Sequence, residues 1–163
     1  MGKSKIEAEV EAMDISDINT TVGAETEPVT EKGAYEELCA NVNIISKPLA
    51  DRKLGKKVYK LIKKASKAKG HLFQGLNDVQ RAIKKGTTGI IVMAGDVSPI
   101  DVYSHMPAYC EEKEIPYVFT PSRAHLGLAA GVSRSVVVML IKSNESYEDL
   151  FTELHSTINA LVV

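Results

Sequence analysis

The sequence predicts an α/β fold in which helices cover both faces of a largely buried sheet. Three observations predict it. The runs over residues 89–94 and 136–141 are continuously apolar and of strand length, as strands buried on both faces are. Stretches with helical periodicity alternate with them. The chain has 163 residues, of which 44% are hydrophobic and 25% charged, enough for one packed domain.

The elements follow in order. Residues 1–33 are acidic, rich in Thr and Glu and without sustained period, and are expected to be a disordered tail before a domain over 34–163. A short helix is expected over 35–39 and a connection over 41–48. Over 49–67, Leu54, Val58, Leu61, Ile62 and Ala65 form one helical apolar stripe among lysines. Gly70 is the candidate C-cap, followed by a short strand over 71–74. Gly75 opens a second helix reaching about residue 85, with Leu76, Val79 and Ile83 on its apolar side and Gly86 closing it. After the strand at 89–94, Asp96 and Ser98 are candidate caps and Pro99 suits the first turn of a helix running past Pro107 to Cys110. A strand over 117–119 lies between Pro116 and Pro121. Ser122 then caps a helix carrying Leu126 and Ala129. An amphipathic helix over 146–161 closes the chain, with Leu150, Leu154 and Ile158 on its stripe.

Charge is distributed unevenly. Residues 1–37 carry 3 basic and 10 acidic side chains, residues 47–85 carry 13 and 2, and residues 86–163 carry 4 and 9. A solvated helix face usually mixes signs, so the basic block reads as the footprint of a polyanion. Other classes find little support. There is no apolar run long enough to cross a membrane and no secretory leader pattern, and Ile6 breaks a myristoylation motif at Gly2. Cys39 and Cys110 are too few for a disulfide framework or a cysteine zinc site. His71, His105, His125 and His155 lack metal-ligand spacing, and no metal site is expected. Gly127 and Gly131 do not fit a dinucleotide fingerprint, and no cofactor is expected. Tyr103, Met106 and Cys110 read as core positions. With no paired carboxylates and no nucleophile–base pattern, an enzyme such as a small α/β transferase is the remote alternative.

Several longer motifs occur together and in order. They are Phe73-Gln74-Gly75-Leu76-Asn77-Asp78-Val79, Val92-Met93-Ala94-Gly95-Asp96-Val97-Ser98-Pro99, and Ile115-Pro116-Tyr117-Val118-Phe119-Thr120-Pro121-Ser122-Arg123, with Leu126-Gly127 behind. Together they resemble the kink-turn-binding ribosomal-protein family over about residues 35–161. The resemblance implies a three-layer α/β/α sandwich with a small mixed central sheet. The lysine-rich helix and the run Pro99-Ile100-Asp101-Val102-Tyr103-Ser104-His105-Met106-Pro107 most resemble the H/ACA branch of that family. This implies a non-catalytic subunit of a nuclear, nucleolar particle that guides pseudouridylation and processing of ribosomal RNA. The implied partners are an H/ACA guide RNA, the pseudouridine synthase and its small companion subunit. Neither a membrane nor DNA is among them. A box C/D, spliceosomal or ribosomal kink-turn binder is the alternative, favoured by Asn77 and by Val132-Ser133-Arg134.

The resemblance also implies where RNA is read. Gly75 lets RNA approach the backbone at a helix start, where free N–H groups and the helix dipole attract phosphate. Asn77 offers a donor and an acceptor to base edges, Asp78 can accept from a guanine edge, and Arg81 can bond a phosphate one turn on. Taken alone, Asn77 and Asp78 would be ordinary cap residues. Leu128, Val132 and Val102 are the apolar candidates to shelter an extruded base, and Arg134 is a phosphate or stacking candidate. Lys53, Lys56, Lys60 and Lys63 are expected to supply phosphate contacts, which add affinity without sequence information.

Overall fold

The computed structural model describes residues 31–162. The tail expected over 1–33 therefore lies almost wholly outside the described residues. Residues from Tyr35 onward form one unit. The elements are helices α1 (Glu31–Ala40) and α2 (Arg52–Lys67), strand β1 (Leu72–Gln74), helix α3 (Leu76–Lys84) and strand β2 (Ile90–Ala94). A 3-10 turn (Ile100–Val102), helix α4 (His105–Glu112), strand β3 (Tyr117–Thr120) and helix α5 (Arg123–Ala129) come next. Strand β4 (Val138–Ile141), a second 3-10 turn (Glu145–Tyr147) and helix α6 (Glu148–Val162) complete the chain.

The four strands form one mixed sheet in the order β1-β4-β2-β3. β2 and β3 are parallel, with Val92 beside Val118, while β4 runs antiparallel to both β2 and β1. Every residue of β2, β3 and β4 is buried. Side chains alternate faces along a strand, so burial at every position requires cover on both sides. Helices α2, α5 and α6 pack together over one face. Helix α3 packs on β1 and β4, and its Gln80 reaches His105 and the Met106 sulfur of α4. This is the expected sandwich. Its core includes Leu61, Ile62, Met93, Tyr103, Met106, Cys110 and Phe119, all fully buried.

The register decides where function can sit. The C-terminal ends of β1, β2 and β3 and the N-terminal end of β4 lie along one edge of the sheet. From that edge emerge the start of α3, the 95–102 connection, the start of α5 and the segment entering β4.

The structure corrects several sequence expectations. The helix expected from residue 49 begins at Arg52, because residues 48–50 run extended beside β3. Leu49 bridges Phe119, Ala50 N–H donates to the Phe119 carbonyl (2.8 Å) and Phe119 N–H to the Pro48 carbonyl (2.9 Å). Those groups satisfy an edge that would otherwise be open. The helix expected from Pro99 to Cys110 is broken at Tyr103, whose φ of −131° is not helical. The Tyr103 ring is drawn into the core and its hydroxyl accepts from Asn43 Nδ2 (2.8 Å). The break also places Pro107 in the first turn of α4, where its missing N–H costs no helical bond. Asp96 caps neither of these pieces; its carboxylate accepts from Arg123 N–H at the start of α5 (3.0 Å), beside the expected Ser122 cap. Val136 and Val137 fall outside β4, since Val136 N–H bonds the Arg123 carbonyl (3.2 Å) instead of a strand. Before α6, Asn144 Oδ1 accepts from Ser146 N–H (3.0 Å) and tightens the entry into a 3-10 turn.

Candidate nucleic-acid interface

Gly75 is the N-cap of α3, with φ +93° and ψ 152°. That backbone conformation is open to glycine and strained for other residues. Its N–H donates to the Val138 carbonyl (2.9 Å), which ties the helix start to the start of β4. Asn77 and Asp78 therefore occupy the first turn and not the cap position, and both are exposed. Among the described residues nothing hydrogen-bonds the Asn77 side chain. The ordinary capping role is thus filled by Gly75, and the amide of Asn77 faces solvent with both its donor and its acceptor available. Asp78 Oδ1 lies 3.5 Å from Arg81 Nη1, with the two side chains 59% and 75% exposed. An ion pair this open is worth little, so Arg81 can turn to a phosphate at small cost.

The second element is the return from α5 to β4. Leu128 and Ala129 belong to the end of α5, so the expected loop is shorter than the sequence implied. Gly131 turns the chain with φ +76°, Val132 N–H bonds the Gly127 carbonyl (3.0 Å) and the segment runs back along the helix. The approach is close: a Cβ at Gly127 would lie 2.1 Å from the Arg134 carbonyl oxygen. Leu128 is 53% exposed, Val132 is half-buried against the core, and Arg134 is exposed. Ala94 N–H donates to the Val137 carbonyl (2.8 Å), which delivers the segment to the same edge as Gly75. Val102 sits in the first 3-10 turn, 38% exposed, on the connection leaving β2 at that edge.

The lysines divide along α2. The helix starts where residues 48–50 leave β3, so Lys53 and Lys56 lie toward the edge that carries Gly75. Lys60 and Lys63 are one and two turns further away, toward the end where Ala68 meets His71. Lys57 is held on the flank by an ion pair with Glu153 of α6. The structure thus brings Gly75, Asn77, Asp78, Val102 and the residue 128–134 return to one edge, and spreads the lysines from that edge along a side.

Sequence reasoning did not single out Ile44, Ile45 or Ile100, which are exposed at the same edge, Ile44 by 90%. The loop holding the first two is pinned by Asn43, whose N–H bonds the Gly95 carbonyl (2.8 Å) and whose Nδ2 bonds the Val97 carbonyl (2.6 Å). No periodicity marks such a loop, and its anchors lie more than fifty residues away in sequence. Elsewhere, burial pushes the Cys110 thiol up to about 12, so it is a poor nucleophile at neutral pH. No group of three or more metal-ligating side chains occurs among the described residues.

Residues 56–151 match the model of the ribosomal protein L7Ae/L30e/S12e/Gadd45 family. The chain belongs to this family. Within the family, it is 47% identical to the H/ACA ribonucleoprotein complex subunit 2 of Drosophila melanogaster, over 99% of this chain and 98% of that protein. It is 48% identical to an H/ACA ribonucleoprotein complex subunit 2-like protein of Xenopus tropicalis, covering 85% and 92% of the two chains. Among solved structures, the 15.5 kD RNA binding protein of Giardia lamblia superimposes with a TM-score of 0.70 at 27% identity, covering 74% of this chain and all of that one. The family match spans most of the unit that carries the α3 start, the α5–β4 return and most of α2.

Proposed function

We propose that this chain is a non-catalytic RNA-binding subunit of an H/ACA ribonucleoprotein particle, the kind of particle that guides pseudouridylation and processing of ribosomal RNA. Nearly half of its residues are shared, over nearly its full length, with a fly protein named as subunit 2 of that complex. The observation that carries the RNA reading is the α3 start: a glycine-opened helix terminus, an outward Asn77 amide and Arg81 one turn behind. In the proposed complex, Asn77 reads a base edge and the free N–H groups of the α3 start take a phosphate. Asp78 holds Arg81 in place or accepts from a base amino group. Leu128, Val132 and Val102 shelter an unstacked base, and Arg134 contacts phosphate or stacks. Lys53, Lys56, Lys60 and Lys63 add charge. The partners are an H/ACA guide RNA and the other proteins of that particle, including the synthase and its small companion, and the location is the nucleus and nucleolus.

A second reading places the chain in a box C/D or ribosomal particle, and Asn77 together with the Val132-Ser133-Arg134 run favours it. Sequencing the RNA that co-purifies with the chain from cells separates the two. Enrichment of H/ACA guides supports the main reading, and recovery of box C/D guides without them overturns it.

A further inference from the structure

The lysines of α2 are arranged as more than a diffuse charge. Lys53, Lys56, Lys60, Lys64 and Lys67 are spaced by three, four, four and three residues, with Lys63 beside Lys64. In a helix of 3.6 residues per turn this spacing keeps them on one side. The opposite side is the buried stripe of Leu54, Val58, Leu61, Ile62 and Ala65. The lysines therefore form a straight outward ridge about 21 Å long, at about 1.5 Å per residue for the 14 steps from Lys53 to Lys67. A row of like charges at this spacing is suited to a polyanion lying along it.

The ridge has a direction and one closed side. It begins at the reading edge, where Ala50 and Phe119 are bonded, and ends beyond Lys67 near Lys69 and the entry to β1. Along one flank runs α6, with Glu148, Asp149 and Glu153 in its first two turns and Glu153 paired to Lys57. Those carboxylates repel phosphate and confine the track to the outward face.

We propose that the ridge of α2 is a second RNA contact that follows a duplex stem away from the reading edge, so that the preferred RNA carries a stem of roughly seven base pairs or more beyond its read nucleotides, since an A-form duplex rises by less than the roughly 3.4 Å per step of B-form DNA. This rests on the RNA-binding reading above and specifies the shape of the partner: one end read by Asn77 and the Leu128 to Arg134 return, one stem lying along Lys53 to Lys67. The distal lysines then contribute only when the stem is long enough to reach them.

The test is a titration of two RNAs sharing one kinked element, one with a stem of about three base pairs and one of about ten, against the full chain and a Lys60→Ala/Lys64→Ala/Lys67→Ala variant. All three positions are exposed, so the variant is expected to keep the fold, and circular dichroism checks this. The expected result is roughly tenfold or greater weakening on the long stem at about 0.1 M salt, a salt slope flatter by about two, and less than twofold change on the short stem. Equal weakening on both RNAs would mean that the lysines act as a general field. No weakening on either would mean that the ridge does not touch RNA. Each of these overturns the proposal. Failure of the reading site is distinguished by a third RNA, an unkinked duplex of the long length: if the unaltered chain binds it as well as the kinked long-stem RNA, the reading edge fails while stem-dependent binding to the ridge still stands.

Discussion

The start of α3 and the ridge of α2 are both exposed and both lie within the unit from Tyr35 onward, yet they are built by different means. At α3 the backbone sets the shape. Gly75 adopts φ +93°, its N–H is fixed to Val138, and the facing return is held so close that Gly127 has no space for a side chain beside Arg134. Few charges are involved, and the ion pair of Asp78 with Arg81 is loose. At α2 the backbone is a regular helix and position follows from spacing alone. The difference teaches where selectivity and affinity come from. A shaped, hydrogen-bonding edge can distinguish bases, whereas flexible ammonium groups attract any phosphate.

That contrast can be broken from either side. The largest effect is expected from Lys56→Ala/Lys60→Ala/Lys63→Ala. Binding should weaken on kinked and unkinked RNA alike, by up to about a hundredfold at low salt. The salt slope should flatten by up to about 0.7–0.9 for each phosphate that the variant no longer neutralises. Filter binding across a salt series reads both, and an unchanged slope would place the basic face away from the RNA. Next comes Gly127→Ala. Its methyl group would collide with the Arg134 carbonyl, so stability should fall by about 1–3 kcal/mol in urea unfolding. Discrimination between RNAs should fall too, while salt-sensitive affinity persists. If discrimination were unchanged, the α5–β4 return would be no part of the reading edge.

The smallest effect concerns pH. His125, half-buried in α5, is held below its ordinary value of 6.5, chiefly by loss of solvent, with Asp96 partly offsetting this. The unfolded chain then binds the proton more readily than the folded one, so stability is full above about pH 6.5 and falls as pH drops below it. His125→Gln should flatten that part of a stability–pH profile, without altering RNA discrimination at about pH 7.5.

How much of this was legible in the sequence depends on how local the cause is. The strand–turn–helix around Gly75 was legible because glycine, the apolar run before it and the helical stripe after it are neighbours in sequence. Strands β2, β3 and β4 were legible because burial on both faces leaves unbroken apolar runs. The break at Tyr103 was not, because its cause is Asn43, sixty residues earlier. Nor was the displacement of Val136 from the strand, since it gives up strand pairing for a bond to Arg123. The candidate residues were each visible, but their gathering on one edge depends on β4 running antiparallel to β2 and β1, a pairing that no local pattern encodes.

The central claim is that Asn77 reads and the lysines hold. Titrating Asn77→Ala against a kinked RNA and an unkinked duplex of equal length tests it most directly. A loss of about 1–3 kcal/mol is expected on the kinked RNA, by analogy with single base-reading contacts, with little change on the duplex and an unaltered salt slope on both. Equal weakening on the two RNAs, or none on the kinked one, would contradict it.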